Sequence, residues 1–546
     1  MIPKSEKSFL EKYEFVIPLL LFLLFLAFTL PGISWGAPSI WHPDEIVVRA
    51  IKALHGEWRF SEINFNYPDL PQYVMYFLGK AILALGYSNG EILVASRVLS
   101  AVIAGATIIL TYSIARRAGG SVYLAGLSGL LLLCVSDLSY NGRFAHNDTY
   151  MVFFTTLSIL FMVNYARTDH RGCLYASFFA VGMAASSKYT GVGLFPALLV
   201  VYLTLQFRNL KKDWFTIGET LFISGALTFL GFVLGTPKSL TWMAYFFKRV
   251  FAALEWQATW GQRDDSVRGI IGQFPMMQGT LGSALYLLFI AAVIWVCYHV
   301  IREWRRTELS RTSQAGVFGI LLLGIFFLDL PVMISYNFQP RYLLTFMPML
   351  AILAAFFVHG IYSRAKQSTK PMYATAILIG VGAIVVYSFA RLASIALLFI
   401  HDARIPATEF MKTLPRGTSL ETTNYPPSYA EGYFEREHNY PLHIQMGTID
   451  AGVPTDKPYE FNKAEQGLLD RGTDYLIVDS FTASRFDDPH VCDQIPNECE
   501  FFKQLATGHT EHYQLIADFK YSLPWYLPQV QVAIANPEIR IYERIK

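Results

Sequence analysis

Between positions 15 and 400 the chain returns again and again to apolar stretches close to 20 residues long: 15–34, 96–115, 121–138, 149–166, 173–187, 189–206, 216–235, 281–300, 315–334, 342–362 and 373–400. A stretch of about 20 apolar residues crosses roughly 30 Å of hydrocarbon. Lipid offers no partner to a free peptide group, so such a segment must be a helix or belong to a closed barrel. Eleven of them predict a mainly α, polytopic helical membrane domain over 1–400. Only 16% of residues are charged, against about 25% in soluble domains. A net charge of +2 is too small to suggest a nucleic-acid partner. The first stretch has no small-residue cleavage site of the A-x-A type and reads as a retained signal-anchor.

Loop charge sets the orientation. With Lys4, Lys7 and Lys12 in the cytoplasm, alternate loops carry Arg116–Arg117, Arg167 with Arg171, Arg208 with Lys211–Lys212, Arg302 with Arg305–Arg306 and Arg311, and Arg364 with Lys366 and Lys370. All fall on the cytoplasmic side. The opposite, extracytoplasmic face receives His42, Asp44 and Glu45, the turn Asn141–Asp148 with Arg143 and His146, the turn around Lys188, and Arg341. Carboxylates and fixed cations from four separate loops suit an anionic lipid headgroup. Arg and Lys bind its phosphate and a carboxylate acts beside it.

The outer segment 35–95 predicts an amphipathic interfacial helix from Pro43, a turn over Asn64–Pro71, and a second helix over Tyr73–Leu85. The outer segment 236–280 is aromatic, with Trp242, Tyr245, Phe246, Phe247, Phe251, Trp256 and Trp260. It suits either a gate for a lipid substrate or an interfacial belt. From 401 to 546 the composition turns polar. Helices over Pro406–Leu414 and Phe461–Leu469, and strands over Ser419–Thr423, Tyr475–Val478 and Ile539–Tyr542, predict a small extracytoplasmic α/β domain. This domain carries no glycine-rich phosphate loop, zinc-type spacing or nucleophile elbow, so it is expected to bind or cover rather than catalyse. Cys134, Cys173 and Cys297 read as inert, while Cys492 and Cys499 can pair if the domain faces an oxidising compartment.

The order of these motifs resembles the GT-C membrane glycosyltransferases, and within them family 39, the protein O-mannosyltransferase and aminoarabinose transferase group. His42–Pro43–Asp44–Glu45 follows the first span as in that family. Tyr67–Pro68–Asp69–Leu70 is similar to its aromatic-Pro-Pro-Leu turn, with Asp69 in place of the second proline. Arg97–Ser100, Arg143–Phe144 with Asp148, Ser187–Gly191, Pro340–Leu344 and the closing Asn536–Tyr542 resemble further family segments. The resemblance implies a polyprenyl-phosphate-linked sugar donor and inverting transfer, on the extracytoplasmic face, to a protein, lipid or glycan acceptor. Asp44 is then the catalytic base, Glu45 or Asp148 a second acidic or metal-binding group, and Arg143, Lys188 and Arg341 the donor-phosphate ligands. The pairs His42-x-Asp44 and His146-x-Asp148 could hold a divalent cation.

Ordinary readings stand beside these. Pro43, Asp44 and Glu45 are also residues that a first helical turn prefers. Asn147 or Asp148 can simply cap a span, and Arg341 can snorkel from a helix end. Lys188, His42 and His146 are common in turns. The rival function class is a transporter or flippase for a sugar-lipid. It would want ionisable groups near mid-membrane, whereas the spans are nearly free of charge and the main exception, Asp329, sits late in the ninth, near its outer end.

Overall fold

The computed structural model describes residues 13–60, 65, 67–207, 213–259, 267–306, 313–368, 372–430, 432–440 and 463–545. Of the sequence expectations, Lys4, Lys7, Lys12, Arg208, Lys211, Lys212, Trp260, Arg311 and Lys370 lie outside them. Two compact units emerge. One comprises residues up to Ile33 together with Asp44–Ala393; the other joins Ser34–Pro43 to Ser394–Lys546. The boundary expected at 400 therefore falls near 393, and ten residues of the first outer segment belong to the C-terminal unit.

The first unit is helical, in the order α1 (Val16–Thr29), α2 (Val47–Leu54), α3 (Leu70–Ala84), α4 (Asn89–Arg117), α5 (Val122–Leu133), α6 (Ser136–Gly142), α7 (Asp148–Thr168), α8 (Arg171–Ser187), α9 (Leu194–Gln206), α10 (Trp214–Gly235), α11 (Lys238–Thr241), α12 (Met243–Thr259), α13 (Gly269–Leu281), α14 (Ser283–Arg306), α15 (Gln314–Ile334), α16 (Met347–Gln367) and α17 (Met372–Ile400). Among the described residues eight helical segments are long and apolar enough to cross a membrane, and nine if α5 and α6, bent by 61°, form one broken span. The other two expected spans appear as the 14-residue α1 and the 17-residue α8. Helix starts follow local chemistry. Ser88 and Glu91 form a reciprocal capping box on α4, and Ser121 and Ser313 cap α5 and α15 through their hydroxyls.

Helices α8 and α10 meet through glycines. A Cβ at Gly182 would stand 2.1 Å from the Thr228 carbonyl oxygen, and one at Gly231 would stand 2.5 Å from that of Phe179. Without a hydrophobic drive between helices in lipid, such close backbone approach supplies the packing. Gly182→Ala must push the helices apart, and we expect a loss of about 1–3 kcal/mol, read as a lower melting temperature of the purified protein in detergent.

The interfacial helix expected from Pro43 begins only at Val47. Asp44 lies in a turn before it, so the first-turn explanation for Pro43–Asp44–Glu45 does not apply.

The second unit holds a five-stranded sheet of β1 (Ser419–Thr422), β2 (Arg436–Asn439), β3 (Tyr475–Asp479), β4 (Tyr513–Phe519) and β5 (Ile539–Arg544), in the order β2-β1-β3-β5-β4. β1 pairs in parallel with β2 and β3, while β5 pairs antiparallel with β3 and β4. β3 is buried throughout. Leu476 and Val478 join one hydrophobic cluster, Tyr475 and Ile477 the other, as alternation across a sheet covered on both faces requires. Cys492 and Cys499 form a disulfide.

Candidate active site

The site is built where helices begin and end. The half-helix α6 stops at Gly142 and releases the turn that carries Arg143 and His146 into the first residue of α7, Asp148. Lys188 is the extended residue that ends α8 and precedes a short 3₁₀ turn. Arg341 stands in the 3₁₀ turn Pro340–Phe346 that leads into α16. Asp148 does not merely cap, since no side-chain cap bond is made at the start of α7.

Asp148 is fully buried and gathers the others. Lys188 Nζ donates to its Oδ1 at 2.6 Å, His146 Nδ1 lies 2.6 Å from Oδ2, and Arg341 Nε lies 4.0 Å from the same oxygen. Arg341 also reaches out, donating through Nη1 to Asp44 Oδ2 at 2.8 Å. The Lys188 ammonium lies 4.4 Å from the centre of the Tyr342 ring, a cation–π contact that fixes its direction. The result is a chain of alternating charge, Asp44–Arg341–Asp148–Lys188, whose buried end is Asp148 and whose accessible end is Asp44, about one-third exposed.

The two cations of this chain, Lys188 and Arg341, line a cavity of about 560 Å³. Lys188, Arg341, Arg249 and His146 line its polar part; Met151, Val250, Leu328, Pro331 and Val332 line its apolar part. Tyr67 faces it too. Burial, and then the Asp44 charge, push its phenol up to about 12, so it remains an O–H donor at neutral pH. From the aromatic segment Arg249, Val250 and Ala252 line the cavity, and Phe246 on the same helix, α12, packs on Phe65, Tyr189 and Phe232 with ring centres 5.2, 6.1 and 5.6 Å away.

Two expected ligands play other parts. Glu45 is buried and bound by Arg97, Nε to Oε1 at 2.8 Å and Nη2 to Oε2 at 2.7 Å, and it accepts the Ala145 amide at 2.9 Å. It ties the start of α2 to the turn before α7. Arg143 does not join the donor-phosphate cations. It is buried, with its guanidinium donating to the Phe28 and Pro31 carbonyls, where it satisfies the end of α1 as a cation at a helix C-terminus does.

The metal reading does not fit these residues. His146 is engaged with Asp148, and both site carboxylates are bound by side-chain cations. Among the described residues no three His, Cys, Asp or Glu side chains converge. Asp329 is buried against Gln273, whose Nε2 donates to it at 3.1 Å.

Sequence reasoning missed Arg97 as the partner of Glu45, and it missed Arg249, although Arg249 was visible as a basic residue inside an aromatic outer segment. It singled out Asp69 only as a departure from a proline turn. Asp69 is buried at the start of α3, accepts from Gln72 at 3.4 Å, and its amide donates to Thr236 at 3.2 Å. Burial raises its carboxyl to about 7, against the pull of Arg49. The unfolded carboxyl titrates near 4, so the folded state holds the proton more tightly. The stabilisation is complete below about 4 and is lost as pH rises through about 7. We expect the melting temperature to fall from pH 5 to pH 8 and Asp69→Asn to flatten that slope.

Residues 56–253 match the family described as dolichyl-phosphate-mannose-protein mannosyltransferase. A curated relative, undecaprenyl phosphate-alpha-4-amino-4-deoxy-L-arabinose arabinosyl transferase 1 of Pseudomonas fluorescens, is 28% identical over 207 residues, 36% of this chain and 36% of that protein. The match thus spans about a third of that relative's length. Among solved structures, the archaeal oligosaccharyltransferase of Archaeoglobus fulgidus in its apo form superposes with a TM-score of 0.59 at 10% identity, over 99% of this chain and 90% of that one. ArnT from Cupriavidus metallidurans bound to undecaprenyl phosphate superposes with a TM-score of 0.50 at 14% identity, over 97% of each.

Proposed function

We propose that this chain, which has the fold of the GT-C membrane glycosyltransferases, moves a sugar from a polyprenyl-phosphate donor to an acceptor hydroxyl on the extracytoplasmic face, with inversion. The observation that carries this reading is a cavity that is cationic at one part and apolar at another, whose Lys188 and Arg341 are paired behind it with Asp148 and Asp44. A prenyl phosphate has that same division.

The chemistry follows from the placement. The donor phosphate takes up Lys188 and Arg341, with Arg249 on the facing wall. Phosphate competes with Asp44 for Arg341, so donor binding frees the Asp44 carboxylate. Asp44 accepts the acceptor hydroxyl's proton as that oxygen bonds to the anomeric carbon, and the bond from that carbon to the phosphate oxygen breaks. The leaving phosphate gains charge, and each well-aimed cation stabilises it by about 3 kcal/mol. Asp148 touches no substrate in this scheme; it aims Lys188 and His146.

The helix ends support the extracytoplasmic reading. On α7, α8 and α16 the site residue stands at or just beyond one end, and Arg167, Arg171 and Arg364 stand at the other. Basic residues favour the cytoplasm, in keeping with a site on the other face. The disulfide in the C-terminal unit is in keeping with an oxidising compartment. A transporter wants its ionisable groups at mid-span, whereas these collect at span ends.

The test is mass spectrometry of glycoconjugates from cells with and without the protein. Loss of one glycan, with build-up of the prenyl-phosphate sugar, is expected. An unchanged glycan profile, with altered distribution of the sugar-lipid across the membrane, would return the reading to a flippase.

A further inference from the structure

For ten residues, Ser34–Pro43, the chain leaves the membrane unit and belongs to the C-terminal unit; it rejoins the membrane unit at Asp44. Both ends of this excursion are held by one side chain of the membrane unit. Arg97, fully buried, donates to the Ile33 carbonyl at 3.1 Å and binds Glu45.

The excursion itself is held in the C-terminal unit by a built cluster. Arg404 pairs with Asp402 through Nε at 3.0 Å and Nη2 at 2.8 Å, and both residues are fully buried. The guanidinium lies 4.9 Å from the Trp35 ring centre and 4.4 Å from that of Trp41. Trp35 Nε1 donates to Asp402 at 2.8 Å, and Trp41 Nε1 donates to Ser428 at 3.0 Å. Gly36 has φ of +74°, and a Cβ there would stand 2.7 Å from the Trp41 ring. A simple connection needs none of this. A buried ion pair is a weak source of stability but can serve to fix one arrangement.

We infer that the Trp35–Trp41–Arg404–Asp402 cluster is a positioning device for Asp44. The proposed base follows Pro43, the last residue of the held excursion, by one peptide bond and precedes Glu45, which Arg97 binds, so the chain is held on both sides of it. Displacing a reacting group by about 1 Å can cost about 10²-fold in rate. The inference rests on the role of Asp44 given above, and it adds that the C-terminal unit acts on turnover without touching substrate.

The test uses purified full-length protein. Arg404→Ala is expected to lower kcat by about tenfold or more while the donor KM stays within about twofold. Trp35→Phe keeps the ring and removes one hydrogen bond, so it should give a smaller fall of the same kind even if Arg404→Ala fails to fold. Two glycines inserted between Pro43 and Asp44 uncouple the cluster from the base. Adding Arg404→Ala to that insertion should then lower kcat no further, the non-additivity expected of coupled sites. Wild-type kcat in a folded Arg404→Ala or Trp35→Phe protein overturns the inference, as does a multiplicative effect in the combined variant. If wild type itself transfers no sugar, it is the function reading that fails.

Discussion

Asp44→Asn is expected to lower kcat by about 10²–10⁴-fold, the usual worth of a general base, while the protein still binds polyprenyl phosphate. The substitution is nearly isosteric, and its amide oxygen can still accept from Arg341, which sits 2.8 Å from the carboxylate. What it cannot do is take a proton at neutral pH. The lost interaction exists only as the acceptor oxygen attacks, so kcat and kcat/KM should fall together with little change in KM. Phosphate binding should persist or tighten slightly, because Arg341 no longer has an anionic competitor at its outer end. Steady-state transfer with a labelled prenyl-phosphate sugar and a separate titration with prenyl phosphate measure the two quantities. Transfer within about threefold of wild type would mean that another group removes the proton.

Much of this was legible in the sequence because the membrane writes a loud pattern. About 20 apolar residues per span cannot be mistaken for loop, and the basic clusters predict which loops share a face. That shared face brought Asp44, Asp148, Lys188 and Arg341 together as candidates, and these four do meet. The readings that failed depend on contacts between residues far apart in sequence. Arg143 looks like a phosphate ligand until the end of α1 is found beside it. Glu45 and Asp44 look equivalent until Arg97, 52 positions later than Glu45, takes one of them. In the C-terminal unit, β3 announced itself by an apolar run and β5 by its Ile-Arg-Ile-Tyr alternation. β2 is Arg-Glu-His-Asn, and β4 leaves much of its face exposed, so neither carries a period-2 apolar signal. The membership of Ser34–Pro43 in the C-terminal unit has no local signature, because composition cannot say which distant residues a tryptophan pair will flank.

Removing the Lys188 ammonium tests two roles at once, and the design must separate them. Lys188→Met takes away a phosphate ligand, which should lower kcat/KM by about 10²-fold or more, the scale of about 3 kcal/mol per well-placed donor. It also strips Asp148 of its nearest counter-ion, at 2.6 Å, in a place without solvent. Breaking a buried pair from one side costs about 3–5 kcal/mol because the remaining charge is uncompensated. His146 at 2.6 Å and Arg341 at 4.0 Å soften that cost here. The single variant should therefore melt lower as well as work less. In Lys188→Met with Asp148→Asn the orphan charge is gone, so the melting temperature should recover while transfer stays low. If Lys188 served only to neutralise Asp148, both would recover together. Scanning fluorimetry in detergent and the same transfer assay read the two axes, and recovery of turnover in the double variant would remove Lys188 from the donor site and leave Arg341 and Arg249 to hold the phosphate.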